Sequence, residues 1–166
     1  GFNTQASFSS DADVTTTVAD GAADPARALY FKVTSGTSLS TTRTLTIAPN
    51  TVSRVMWIEN ATTGSQSINI SQGSGANVTI APGKVAVVQL DGAGSGAAVL
   101  DALTDLAVTD SLSINGTTLT IGDASAEDTK IVFDGNAQDF YIGLDDSADD
   151  LVIGLGSAVG TTPAIS

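Results

Sequence analysis

The stretch FYIGLDDSADDLVIGLG, residues 140–156, sets Asp145, Asp146, Asp149 and Asp150 between two Ile-Gly-Leu triplets. Carboxylates at this density suit a calcium loop, a pair of acids acting on a glycosidic bond, or the solvated tip of a hairpin. An EF-hand loop places Gly sixth and Glu twelfth. Counted from Asp145, those positions hold Asp150 and Gly156. The G-G-x-G-x-D calcium repeat is also missing. An irregular calcium site stays open. Glycosidases do use carboxylate pairs, but nothing here marks one acid for a raised pKa. One Trp, two Tyr and five Phe are few for a sugar groove. The turn reading needs nothing further, since Asp and Ser favour turns and keep to water.

The remaining chemistry is narrowed by two absences. The chain has no His and no Cys. Disulfides, thiolate metal sites, Ser-His and Cys-His catalysis and a near-neutral proton shuttle all drop out. GAGSG, residues 92–96, lacks the βαβ context of a dinucleotide fingerprint. Sequons at Asn60, Asn69, Asn77 and Asn115 are expected by chance among 22 Thr and 18 Ser, and matter only in a eukaryotic secretory setting. Trp57, in RVMWIEN, reads as core or interface packing ahead of ligand stacking, with Arg54 and Glu59 at the ends of its strand.

The elements that carry these residues are read from composition and period. At 166 residues the chain suits one or two small domains. It opens on Gly1 and holds one Met, so we expect a segment of a longer or processed protein. No signal-peptide pattern is visible, and no apolar run approaches the roughly 18 residues of a membrane helix. Charged residues are 14% against roughly 25% in ordinary domains, while 42% of the chain is hydrophobic. Thr and Val favour strands and Gly, Asn and Asp favour turns, which together suit an all-β protein. The net charge of −12 is uneven: residues 1–100 hold five basic and six acidic side chains, residues 101–166 only Lys130 against twelve acids. Such a surface repels nucleic acid and anionic membranes, and the asymmetry suggests two structural regimes.

Along the chain, 6–18 alternates weakly and 19–27 reads as a loop. ALYFKVTS, 28–35, is a strand with Leu29, Phe31 and Val33 on one face; TRTLTIAP, 42–49, is another with Leu45 and Ile47 together. Residues 53–73 suggest a hairpin, and 76–92 a second one turning at Pro82-Gly83. The Gly-rich run 91–98 is the expected boundary, with domains at 1–96 and 97–166. Beyond it, Leu100, Leu103, Leu106 and Ala107 allow a short helical turn, Asn115-Gly116 is a hairpin signal, and TKIVFDG, DFYIGL and DLVIGLG are short strands. So few large side chains enclose too little core, so the apolar faces must meet those of other chains.

The order RTLTIAP, IENATTG, NVTIAPGK and an apolar strand ending in DG, across 42–92, resembles a module of tailed-bacteriophage tail fibres and related virion proteins. LSINGTTLTIGD, AEDTKIVFDGNAQDFYIGLDDSADDLVIGLG and GTTPAI are similar to fibre-shaft sequences of such phages. The resemblance covers most of the chain. It implies a non-enzymatic, extracellular virion element that assembles as a homotrimer alongside other tail proteins, meets a host receptor through parts outside this segment, and uses no cofactor, nucleic acid or membrane insertion. The expected architecture is all-β: a small β-sandwich-like module, then an intertwined trimeric shaft of β-prism or triple β-helix type. Its core candidates are Leu112, Ile114, Leu119, Ile121, Ile131, Phe133, Ile142, Leu144, Ile153 and Leu155. No catalytic or metal-binding residue is expected. A cellular surface filament and a carbohydrate-binding module centred on Trp57 are the rival readings. The glycines of the two triplets, Gly143 and Gly154, are expected where strands approach closely.

Overall fold

Alternation of period two dominates the chain, and the computed structural model is accordingly all-β. It describes residues 1–21, 23–104 and 106–160, and the backbone of 163–165. Two units are distinguished, Gly1–Ala107 and Val108–Ser166.

Among the described residues the first unit holds nine strands: Phe2–Phe8 (β1), Val14–Thr17 (β2), Tyr30–Ser35 (β3), Arg43–Ala48 (β4), Arg54–Asn60 (β5), Ile68–Ser71 (β6), Val78–Ile80 (β7), Val85–Leu90 (β8) and Val99–Asp101 (β9). Two sheets result, ordered β1-β3-β5-β8-β9 and β2-β4-β6-β7. The chain lays one strand in each sheet per turn for three turns, so β1, β3 and β5 run parallel, as do β2, β4 and β6. Then β7 and β8 return antiparallel to β6 and β5, and β9 to β8. The arrangement is β-sandwich-like.

The alternate strand positions that lie between the two sheets are mostly apolar. Phe31, Val33, Met56, Ile58, Val88 and Leu90 meet Leu45, Ile47, Ile68, Ile70 and Ile80 in one fully buried cluster that also takes Phe8, Leu39 and Val99. Polar side chains tie its corners. Buried Asn60 donates through Nδ2 to the carbonyls of Gln66 and Ile80, both at 3.0 Å, and its Oδ1 accepts from the Thr62 hydroxyl at 2.7 Å. The Arg54 guanidinium donates to the carbonyls of Ala26, Arg27 and Ala28, holding the 3₁₀ turn Pro25–Arg27 against β5.

Several sequence expectations change here. Residues 53–73 and 76–92 are not hairpins: β5 and β6 lie in different sheets, and so do β7 and β8. The reason is burial. Met56 and Ile58 of β5 and Ile68 and Ile70 of β6 all need an apolar partner, and facing sheets supply it where one sheet would leave them on a single uncovered face. Leu29 lies outside β3 and is exposed. The Gly-rich run is a turn within the first unit, where Asp91 Oδ1 accepts the amides of Ala93 and Ala98, both at 3.0 Å. It is followed by β9, not a helical turn, and the division falls after Ala107 instead of at 96/97. A hydrogen-bonded turn does follow at residues 102–104, where the Leu103 amide donates to Asp101 Oδ1 at 2.8 Å; Asp105 is outside the described residues.

Among the described residues the second unit holds one antiparallel sheet of Thr129–Phe133 (β10), Phe140–Asp145 (β11), Asp150–Leu155 (β12) and Pro163–Ile165 (β13), in that order. The Asn115-Gly116 hairpin does not form in the single chain: residues 106–128 contain no strand, and Leu112, Ile114, Leu119 and Ile121 are exposed. An isolated two-stranded hairpin is marginal without a surface to cover.

Candidate functional site

The aspartate cluster resolves as the turn between β11 and β12, which pair in register from Phe140 with Leu155 to Asp145 with Asp150. Asp145 Oδ1 accepts from the Ser147 hydroxyl at 2.7 Å and the Ala148 amide at 3.2 Å. Asp149 takes the left-handed conformation (φ 56°), which Asp tolerates better than most residues. The Asp146 amide donates to Asp128 Oδ1 at 3.0 Å. Among the described residues, no three acidic side chains are grouped so as to hold a metal ion.

The two faces of the β10–β12 sheet differ sharply. One carries Tyr141, Gly143, Val152 and Gly154, all buried, with Lys130 and Val132 of β10 exposed beside them. A Cβ at Gly154 would collide with the Tyr141 ring, and one at Gly143 would lie 2.9 Å from the Thr129 carbonyl and 3.1 Å from Val159 Cγ2. The triplet glycines therefore let an aromatic ring and a returning segment lie flat on the sheet. The Gly160 amide donates to Tyr141 Oη at 3.1 Å and fastens that segment.

The other face is a grid fixed by register. Phe133, Phe140 and Leu155 form one row, Ile131, Ile142 and Ile153 the next, and Thr129, Leu144 and Leu151 the third. Eight of these nine are apolar. Seven of the eight are exposed, from 37% at Ile153 to 70% at Leu151, while Leu155 and Thr129 fall in the intermediate range. Six sequence candidates, Ile131, Phe133, Ile142, Leu144, Ile153 and Leu155, come together here. Phe140 and Leu151 belong to the same face, and their alternation with Ile142 and Ile153 was the signal for them. Ile121 lies beside the third row, lining a groove of about 200 Å³ with Ile131, Ile142, Leu144 and Leu151. Leu112, Ile114 and Leu119 do not line that groove. Exposed apolar patches of this kind mark interaction surfaces.

A second apolar feature lies on the first unit. In the parallel ladder, Phe2 stands beside Tyr30 and Tyr30 beside Trp57, on the outer face of the five-stranded sheet. The Phe2 and Tyr30 rings stack with centroids 5.3 Å apart and planes 27° apart. Trp57 is 45% exposed and Phe2 66%. Trp57 is thus not a core residue, contrary to one half of the sequence expectation. Val55, Val85 and Leu100 on the same sheet are exposed too. Next to the aromatic row, Lys32 Nζ pairs with Glu59 Oε1 at 3.0 Å, and Tyr30 Oη donates to Glu59 Oε2 at 3.0 Å. The Lys32 hydrogen bond holds the Glu59 carboxyl below its ordinary range, with the Tyr30 bond acting in the same sense. Desolvation, reinforced by Glu59, pushes the Tyr30 phenol up. The outer face of the facing sheet is instead hydroxyl-rich, with Thr15 beside Thr46 and Thr44 beside Asn69, whose Oδ1 accepts from Thr79 Oγ1 at 2.7 Å.

No protein family, curated protein or solved structure matches this chain.

Proposed function

We propose that this chain is a structural, non-enzymatic segment of a multi-copy extracellular fibre, of the tailed-bacteriophage tail-fibre kind its sequence resembles, and that its second unit assembles by burying the apolar face of β10–β12 against other copies. The observation that carries the reading is that grid of eight apolar side chains on one sheet face, seven of them exposed and Leu155 half-buried. Fully burying an aliphatic or aromatic side chain contributes about 1.5–3 kcal/mol, so half-exposed residues in this number leave a large driving force unused in the single chain. Three copies around one axis is the arrangement the fibre reading carries. The segment supports attachment mechanically, with other tail proteins at its ends and receptor contact made elsewhere on the virion.

The four aspartates at the β11–β12 turn fit the same reading. They keep the hairpin tip in water, and their charge discourages stray pairing between neighbouring fibres. Small-angle scattering with sedimentation tests the proposal. An elongated trimer supports it, whereas a folded monomer at all accessible concentrations contradicts it.

A further inference from the structure

We propose that the row Phe2–Tyr30–Trp57, with the Lys32–Glu59 pair beside it, is a binding strip for a neutral hexose-based oligosaccharide. The inference stands apart from the fibre reading, because it concerns the first unit alone.

The geometry combines what such a ligand presents. A pyranose has an apolar C–H face and a rim of hydroxyls, and flat aromatic side chains with a polar end suit the boundary between the two. Three parallel strands hold the three rings in register at one-strand spacing, roughly 4.8 Å. Phe2 and Tyr30 stack on each other, and Trp57, 45% exposed, stands one strand further on. An open cleft of about 450 Å³ lies against it, lined by Gly1, Leu29, Tyr30 and Trp57. That volume falls within the roughly 300–1,000 Å³ of small-molecule sites.

Charge decides the class of saccharide. The rim presents one ammonium and one carboxylate, already paired, with the Tyr30 hydroxyl on the same carboxylate. Adjacent sugar hydroxyls match such a donor–acceptor pair without adding charge. Residues 1–100 hold five basic and six acidic side chains, so this unit has no excess of positive charge to draw an acidic glycan or a nucleic acid.

Trp57 is the only tryptophan, so its fluorescence reports this strip and nothing else. The test is an array of neutral and acidic oligosaccharides probed with the full chain, followed by fluorescence titration with the best neutral hit. The expected result is a neutral hit that perturbs Trp57 emission. Its affinity falls about tenfold or more in both Phe2→Ala and Trp57→Ala, the size expected when a hot-spot aromatic is truncated. Phe2→Ala removes a largely exposed ring and keeps the test valid if Trp57→Ala proves unstable. Binding of acidic saccharides only, or of none, overturns the proposal. So does a fall in particle mass in Phe2→Ala, which would place the strip between copies of the chain. Since the array reads saccharide and the mass reads assembly, failure here is distinguishable from failure of the fibre reading.

Discussion

The two units use the same period-two pattern and reach opposite burial. In the first, Phe31, Val33, Leu45 and Ile47 alternate with polar neighbours and are wholly buried, because the chain winds back to lay a second sheet over the first. In the second, Ile131, Ile142 and Ile153 alternate as regularly and remain exposed, because one four-stranded sheet has two faces and the chain covers one. Alternation specifies that a face must be buried; whether the chain buries it alone depends on how many layers it builds. The first unit encloses a core between its own two sheets, and the second leaves one apolar sheet face exposed.

The comparison makes its largest prediction at the closed core. Phe31→Ala should cost the first unit about 3–5 kcal/mol, as a large aromatic removed from a packed core does. Calorimetry should show that transition moving down at every protein concentration, while the transition of the second unit rises with concentration, as association requires. A concentration-dependent first transition would erase the distinction between the units.

A smaller effect sharpens the other half. Gly154→Ala inserts a Cβ into the Tyr141 ring, and overpacking of this kind costs about 1–3 kcal/mol. Tyr141→Leu in the same chain should recover part of it, since the two positions are in contact. Equal losses in the single and double variants would mean that the glycine is required for some other reason.

The smallest effect is electrostatic. Asp11 accepts from Arg43 Nε at 2.8 Å and from the Ser40 hydroxyl, and the Arg43 hydrogen bond followed by that of Ser40 holds its carboxyl well below the usual range. A depressed carboxyl contributes stability that is present above the unfolded value, about 3.9, and is lost as pH falls through the folded value. Asp11→Asn should therefore melt below the wild type at pH 7, and the gap should begin to narrow below about pH 4 and shrink as pH falls further toward the folded value. A gap that stays constant into acid would remove the ion pair from the account.

Much of this was legible before the fold was known. The alternations at 28–35 and 42–49, the matched arms around the aspartates and the single face of Ile131, Ile142 and Ile153 all follow from local sequence. Pairing did not. Pro82-Gly83 marks a turn, but nothing local says that the strand after it joins β5 in the opposite sheet. The coiling left one trace, the aromatic residues at 2, 30 and 57, whose near-equal spacing is that of the winding and not of any hairpin. Exposure of Trp57 was equally hidden, since alternation assigns a residue to a face without saying which face is the core. Leu112, Ile114, Leu119 and Ile121 have a hairpin pattern that the structure does not realise, since residues 106–128 contain no strand.

The central claim is that the open face of β10–β12 is what holds copies together. The direct test is the solution mass of the wild type beside that of Ile142→Asp/Ile153→Asp, with circular dichroism to confirm that the first unit stays folded. Charges at two paired central positions of the grid cannot be buried without a large desolvation cost. The account predicts a wild-type particle of three 16.6 kDa chains and a double variant of one. A monomeric wild type, or a variant whose mass is unchanged, would contradict it.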